Sequence, residues 1–263
     1  MAKSLEGRQY GFLTPNNNKR FVRALDHQQV AGYSVGIVYI ENVHYPMMPG
    51  NVVNACTYDF PVRMKAVPNL TAKRLFDADP TIAHDIIETA KYMVEKEGVR
   101  AICSACGFFG NYHRQVANAL DVPVALSSLV QLPWIKNLIK PKQKIGILTA
   151  NGGAMTPKLF EGCGIEDYSN IVVRGMEDSE NFSVVIHNRG YFDNGKAEEE
   201  IVSAALSLLE EEDELGAILL ECSDMPPYAA AIQEATQLPV FDFITLIKWL
   251  HNATTQREYS GWI

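Results

Sequence analysis

The chain has 263 residues, enough for one large or two medium domains with a buried core. Its apolar fraction of 47% and charged fraction of 21% are those of a soluble globular protein, and no apolar run nears the roughly 18 residues of a membrane span. A net charge of −8 without a basic stripe argues against nucleic acid and against an anionic membrane surface as partners.

Residues 1–33 match nothing later in the chain and are expected to form an N-terminal arm used in subunit contact, so a homo-oligomer, dimer or tetramer, is expected. The stretch from Met1 to Asn18 is polar and carries no hydrophobic core of a secretory signal. Five cysteines, an odd number in apolar contexts, read as reduced thiols of a cytoplasmic protein. Further on, short β-branched runs alternate with amphipathic segments, the signature of βαβ units and a mainly parallel sheet. Strands are expected at Val35–Ile40, Ala101–Ala105, Val122–Leu126, Lys144–Ala150, Ile171–Arg174, Ala217–Glu221 and Leu238–Phe241. Helices are expected at Thr81–Glu97, Tyr112–Leu120, Leu129–Ile139, Thr156–Cys163, Lys196–Glu212, Tyr228–Thr236 and Ile244–Asn252.

The chain repeats itself at an offset of 116 residues: Ala101/Ala217, Ile102/Ile218, Cys106/Cys222, Tyr112/Tyr228, Ala119/Ala235, Pro123/Pro239 and Val124/Val240 are identical pairs. Lys140-Pro-Lys-Gln-Lys144 is a polar break, and the two sides open alike, with Val35-Gly-Ile-Val38 before it and Ile145-Gly-Ile-Leu148 after it. The expected fold is therefore α/β, with two pseudo-symmetric lobes, each a mainly parallel sheet flanked by helices, and the active site in the cleft between them. The last helix aligns with 128–136 of the first half and is expected to cross back. The lobes are then 34–140 with about 242–263, and 141–241.

Cys106 and Cys222 each follow an apolar strand and precede a helix, and open α/β sheets bind ligands beyond the carboxyl ends of their strands. Two thiols facing each other across a cleft can take a proton from carbon and return one. Amides at the start of the following helix are expected to favour the thiolate. A buried packing role competes for either cysteine alone, and much less for both at matched positions. Cys103 and Cys106 also spell CxxC, but no second ligand pair accompanies them, so neither zinc nor thioredoxin chemistry is expected. Cys163, at a helix end, reads as structural, while Cys56 lies in the loop described next. The acidic run from Glu210 to Glu214 reads as a solvated face.

The segment from Tyr45 to Pro61 has no counterpart in the second half and reads as an ordered lid or substrate wall, with a passive surface loop as the alternative. Asn151-Gly152-Gly153 could offer amides to a carboxylate. No GxGxxG, Walker A, GxSxG or HExxH occurs, which removes nucleotide binding and the common hydrolases. His113 reads as a helix residue. The aromatics Tyr45, Tyr58, Phe108, Phe109, Tyr112 and Tyr228 would suit a soft cation such as a sulfonium, or else fill a core.

Ala105-Cys106 and Glu221-Cys222-Ser223 in two such lobes resemble the aspartate/glutamate racemase superfamily, from about Tyr33 to Asn252. Within it, Tyr45-Pro46, Pro49-Gly50-Asn51-Val52, Tyr58-Asp59-Phe60-Pro61-Val62, Val67-Pro68 and Glu221-Cys222-Ser223-Asp224-Met225-Pro226-Pro227-Tyr228 are most similar to the algal dimethylsulfoniopropionate lyases. The resemblance implies cleavage of that substrate to dimethyl sulfide and acrylate without cofactor or metal, with Cys222 as the base and Cys106 as its partner thiol. Tyr45, Tyr58, Gly107, Phe108, Asn151, Gly152, Ser223, Asp224 and Tyr228 are the expected substrate-binding residues. Amino-acid racemases of the superfamily carry Asn and Thr after the first cysteine and Thr after the second. Gly107-Phe108-Phe109 and Ser223-Asp224 depart from that pattern, which favours a small carboxylate of another kind over aspartate or glutamate. A racemase or isomerase of an amino acid or hydantoin, and a catalytically silent member, are the alternatives.

Overall fold

The computed structural model describes residues 26–263, so most of the expected N-terminal arm lies outside the described residues. Strands β1 (Val35–Ile40), β2 (Val62–Val67), β3 (Ala101–Ser104) and β4 (Val124–Ala125) pair in the order β2-β1-β3-β4. Strands β5 (Lys144–Thr149), β6 (Ile171–Gly175), β7 (Leu215–Leu220) and β8 (Val240–Phe241) pair in the order β6-β5-β7-β8. Every pairing among them is parallel. The duplication extends to register: Gly36 pairs with Ile102 as Gly146 pairs with Ile218, and Ile102 pairs with Val124 as Ile218 pairs with Val240.

The helices are α1 (Ala72–Phe76), α2 (Ala83–Glu97), α3 (His113–Ala119), α4 (Leu132–Leu138), α5 (Pro157–Gly162), α6 (Val184–His187), α7 (Asn194–Glu211), α8 (Ala229–Thr236) and α9 (Phe243–Thr254). They cover sheets whose central strands are apolar on both faces, as parallel strands must be. In β7, Ala217 and Leu219 face a core shared with the first half (Ile102, Phe108, Phe109), while Ile218 and Leu220 face α7 and α8 through Ile201, Ala205 and Ile232. The first sheet's other face, through Val35, Ile37, Ala101 and Cys103, is covered by Phe243, Leu246, Ile247 and Leu250 of α9. Thus α9 follows the second sheet in sequence and packs on the first. A capping box starts it: the Thr245 amide donates to Asp242 Oδ1 at 2.7 Å, and the Asp242 amide to Thr245 Oγ1 at 2.9 Å.

β2 falls where no strand is expected. Its Val62, Met64 and Ala66 alternate with Arg63 and Lys65, but prolines 61 and 68 bracket it and mimic a loop. As an edge strand it tolerates both features. Arg63 is held bidentately by Glu97 at 2.8 Å, and Lys65 Nζ lies 4.4 Å from the Tyr92 ring centroid. After each strand-end cysteine a 3-10 turn intervenes, Gly107–Tyr112 or Pro226–Tyr228, so α3 and α8 start one residue later than expected.

Candidate active site

Cys106 and Cys222 each lie two residues beyond the end of a central strand, β3 and β7. Cys106 is half-buried, and Cys222 is 7% exposed. Backbone amides do reach both sulfurs, that of Phe108 at Cys106 and that of Asp224 at Cys222, and each favours the thiolate. The expected net lowering does not follow. Burial raises both thiols well above the ordinary range, and carboxylates add to it, Glu221 first for Cys106 and Asp224 first for Cys222. Cys222 also feels Cys106, and Cys106 feels Asp224, so the two sulfurs belong to one electrostatic neighbourhood.

Asp224 gathers the groups around Cys222. Its Oδ2 accepts from Cys222 Sγ at 3.5 Å, from Tyr45 Oη at 3.3 Å and from Ser223 Oγ at 3.4 Å, while Oδ1 accepts from the Asn51 side chain. Burial raises its carboxyl, and these donors oppose the rise. Cys222 Sγ thus lies within hydrogen-bond distance of a carboxylate, the arrangement that a thiol/carboxylate acid/base pair would need. Tyr45 is raised above its usual range by burial and by Asp224, so its hydroxyl stays a donor.

Tyr45 and Asn51 come from the 45–61 loop, which reaches from the first half onto the second. The Val52 amide donates to Ser223 O at 3.3 Å. Gly50 has φ +99° and rests on Pro227, whose backbone a side chain at 50 would meet at 2.9 Å. Within the loop, Asn54 caps a turn by accepting from the Cys56 amide at 2.9 Å. The loop forms one wall of a small cavity lined by Tyr45, Met48, Asn51, Phe182, Asp224 and Tyr228.

Glu221, directly before Cys222, carries no role in the sequence reading. It is fully buried, accepts from Thr149 Oγ1 at 2.7 Å through Oε2, and leaves Oε1 without a partner. Burial raises it to about 7. A side chain on residue 107 would overlap Oε1, so Gly107 is required by close approach. The signal in the sequence was a glutamate closing the apolar run Leu215–Leu220.

The structure brings Cys222, Ser223, Asp224 and Tyr45 together, sets Cys106 in the same electrostatic neighbourhood, and places Gly107 under Glu221. Tyr228 borders the cavity, its hydroxyl donating to Asn194 Oδ1 at 3.0 Å. Tyr58 turns away: its hydroxyl donates to Val52 O at 2.8 Å and its ring packs against the α9 core. Phe108 is 2% exposed and edge-on to Phe76, and Phe109 and Tyr112 share its core, which removes three aromatics from the expected cation-binding set. Gly152 donates its amide to Glu177 at 2.9 Å, so that donor of the Asn151-Gly152 turn already holds a carboxylate of the chain itself. His113 Nδ1 accepts from the Leu126 amide at 3.4 Å, a structural tie. No cluster that could hold a metal, and no helix long and apolar enough to cross a membrane, occurs among the described residues.

No family model matches the chain. It is 32% identical over 217 residues to the dimethylsulfoniopropionate lyase of Durusdinium sp. clade D, covering 80% of this chain and 71% of that one. The chain belongs to the dimethylsulfoniopropionate lyase family. It is also 28% identical over 242 residues to dimethylsulfoniopropionate lyase 5 of Emiliania huxleyi, covering 89% of this chain but only 48% of that relative, about half its length. Solved structures show the same fold: unliganded arylmalonate decarboxylase (TM-score 0.56, 12% identity, 87% of this chain and 94% of that one) and allantoin racemase from Klebsiella pneumoniae (0.57, 18%, 83% and 86%). A lyase-family sequence thus sits on a fold shared with a racemase and a decarboxylase.

Proposed function

We propose that the chain is a cofactor-independent lyase that cleaves dimethylsulfoniopropionate to dimethyl sulfide and acrylate. Cys222, with Asp224 as its proton acceptor, removes the hydrogen on the carbon next to the carboxylate. The carbon–sulfur bond then breaks, the electron pair leaves with dimethyl sulfide, and the carbanion's electrons become the acrylate double bond. The reaction runs between a first lobe of 34–140 with 242–263 and a second of 141–241. The observation that carries this reading is the Cys222–Asp224 contact at 3.5 Å, with the Tyr45 hydroxyl on the same carboxylate and Cys106 in the same electrostatic neighbourhood. Tyr45 and Tyr228 supply the aromatic surface for the sulfonium, by cation–π attraction. The relatives' lyase names support the substrate, and the matched thiols support a second reading, racemisation or isomerisation of a small carboxylate.

Proton NMR of the protein with dimethylsulfoniopropionate in deuterated water decides between them. Acrylate and dimethyl sulfide are expected, at a rate abolished by Cys222→Ala. Deuterium entering the α position of a small carboxylate without elimination would replace the lyase reading with the racemase one.

A further inference from the structure

Two side-chain atoms among the described residues are buried without a hydrogen-bond partner, Asn111 Oδ1 and Glu221 Oε1. Asn111 still ties its turn together, its amide donating to Phe108 O at 3.1 Å. Glu221 differs in kind because it is ionisable. It leaves the second sheet at the end of β7, crosses toward the first half and fills the space that a side chain on Gly107 would take. A carboxyl oxygen left unpaired in an apolar interior is costly, and such a group beside a candidate active site calls for a role.

The groups facing it come from four places: Cys106 in the turn after β3, Cys163 beyond α5, Thr149 at the end of β5, and Cys222 on its own segment. Glu221 is the leading charge on Cys106, as Asp224 is on Cys222. The two relationships differ. Asp224 accepts a hydrogen bond from Cys222 and can receive its proton. Glu221 accepts from Thr149 and acts on Cys106 through charge.

We propose that Glu221 is a positioning residue that, together with burial, holds Cys106 in its thiol form from across the lobe boundary, so that Cys222 alone serves as the base and Cys106 stays a neutral S–H donor beside it. This rests on the two-thiol site proposed above and fixes its direction. A negative charge beside a buried thiol opposes its ionisation, and does so more strongly as water is excluded. The same short segment thus gives one sulfur a proton acceptor and the other a charge that keeps its proton in place.

Iodoacetamide labelling of each cysteine, followed peptide by peptide by mass spectrometry across a neutral-to-alkaline pH series, tests this without substrate. In Glu221→Gln the Cys106 profile shifts to lower pH, with labelling roughly tenfold faster at a fixed pH below its midpoint, the effect of one pKa unit. The Cys222 profile moves less, whereas Asp224→Asn moves Cys222 first. Glu221→Met repeats the measurement without an amide that could find new partners, and ultraviolet titration of thiolate against Cys106→Ser repeats it without an alkylating agent. An unmoved Cys106 profile in folded protein, or equal shifts of both thiols, overturns the assignment. If acrylate never forms, the lyase reading fails while the labelling result stands. If turnover is normal and the profile is unmoved, only the role of Glu221 fails.

Discussion

Cys106 and Cys222 end equivalent strands of a duplicated unit, yet they keep different company. Cys222 meets Asp224, on which Ser223, Tyr45 and Asn51 converge as donors. Around Cys106 stand Phe108 and Phe109 in a core, a single amide at its sulfur, and a carboxyl from the other half. Duplication supplied the scaffold twice, and the polar chemistry was added once, by Glu221–Asp224 and by a 45–61 loop without counterpart in the second half. A symmetric frame therefore holds an asymmetric set of polar contacts, which suits the elimination proposed above.

The largest effect expected from breaking that asymmetry is on turnover. Cys222→Ala removes the proposed base and is expected to lower acrylate formation by roughly 10⁴-fold, the upper range for general acid–base groups. Cys106→Ala, which removes only a neutral S–H donor beside the proposed base, costs nearer 10²-fold, the lower range for losing one such donor. Steady-state rates of the two variants, with unchanged circular dichroism, check this. Equal losses would mean that both thiols act as one unit and that the site is symmetric after all.

Glu221 makes the next test, in stability. Its folded-state value of about 7 stands above the ordinary 4.5, so the folded protein binds the proton more tightly than the unfolded chain does. Its favourable contribution is complete below pH 4.5 and is lost as pH rises through 7, where the buried charge costs on the order of 3 kcal/mol. Glu221→Gln should accordingly unfold at a higher temperature than the parent above pH 7, with the gap closing in acid. A gap constant with pH would show that Glu221 does not titrate in this range.

Most of this frame was legible from one sequence, because parallel sheets write long apolar runs between helices and a repeat writes them twice. Glycines 36 and 146, the paired cysteines and the crossing-back of α9 all follow from aligning the halves. What escaped were interactions between segments distant in sequence. Asp224 could be named a site residue, but its hydrogen bonds to residues 45 and 51 depend on how a loop folds over. Glu221 looked like the last residue of a strand because its environment, an apolar interior closed by Gly107, exists only once the lobes meet. The pKa direction of both thiols was misjudged for the same reason. Helix amides are visible in sequence, whereas desolvation and a neighbouring carboxylate are products of packing. Aromatic residues 108, 109 and 112 read equally well as cleft or core, and core prevailed because the turn after β3 packs inward.

Gly107→Ala sharpens the comparison locally. Its methyl would overlap Glu221 Oε1, so the carboxyl or the turn must shift, at about 1–3 kcal/mol by the range for overpacked cores. The corresponding residue of the second half, Ser223, bears a side chain, and its hydroxyl donates to Asp224 Oδ2 at 3.4 Å instead of overlapping a carboxyl. Pairing Gly107→Ala with Glu221→Ala should restore part of the loss in chemical denaturation. Additive losses would show that the two residues do not meet.

The smallest effect belongs to the loop that only the first half possesses. Tyr58 buttresses it from behind, with its hydroxyl on Val52 O at 2.8 Å and its ring 5.6 Å from that of Phe60. Tyr58→Phe keeps the ring and deletes the hydrogen bond, so a stability loss of about 1 kcal/mol is expected in urea unfolding. Val52 is also the residue whose amide meets Ser223 O, so slackening it loosens the loop where it crosses to the second half. Substrate affinity should then weaken more than the rate constant falls, because Tyr45 is displaced while Cys222 and Asp224 remain in contact. A fall in kcat at unchanged KM would instead mean that the loop tunes the thiol pair itself, and that the polar chemistry of the second half cannot be separated from the insertion in the first.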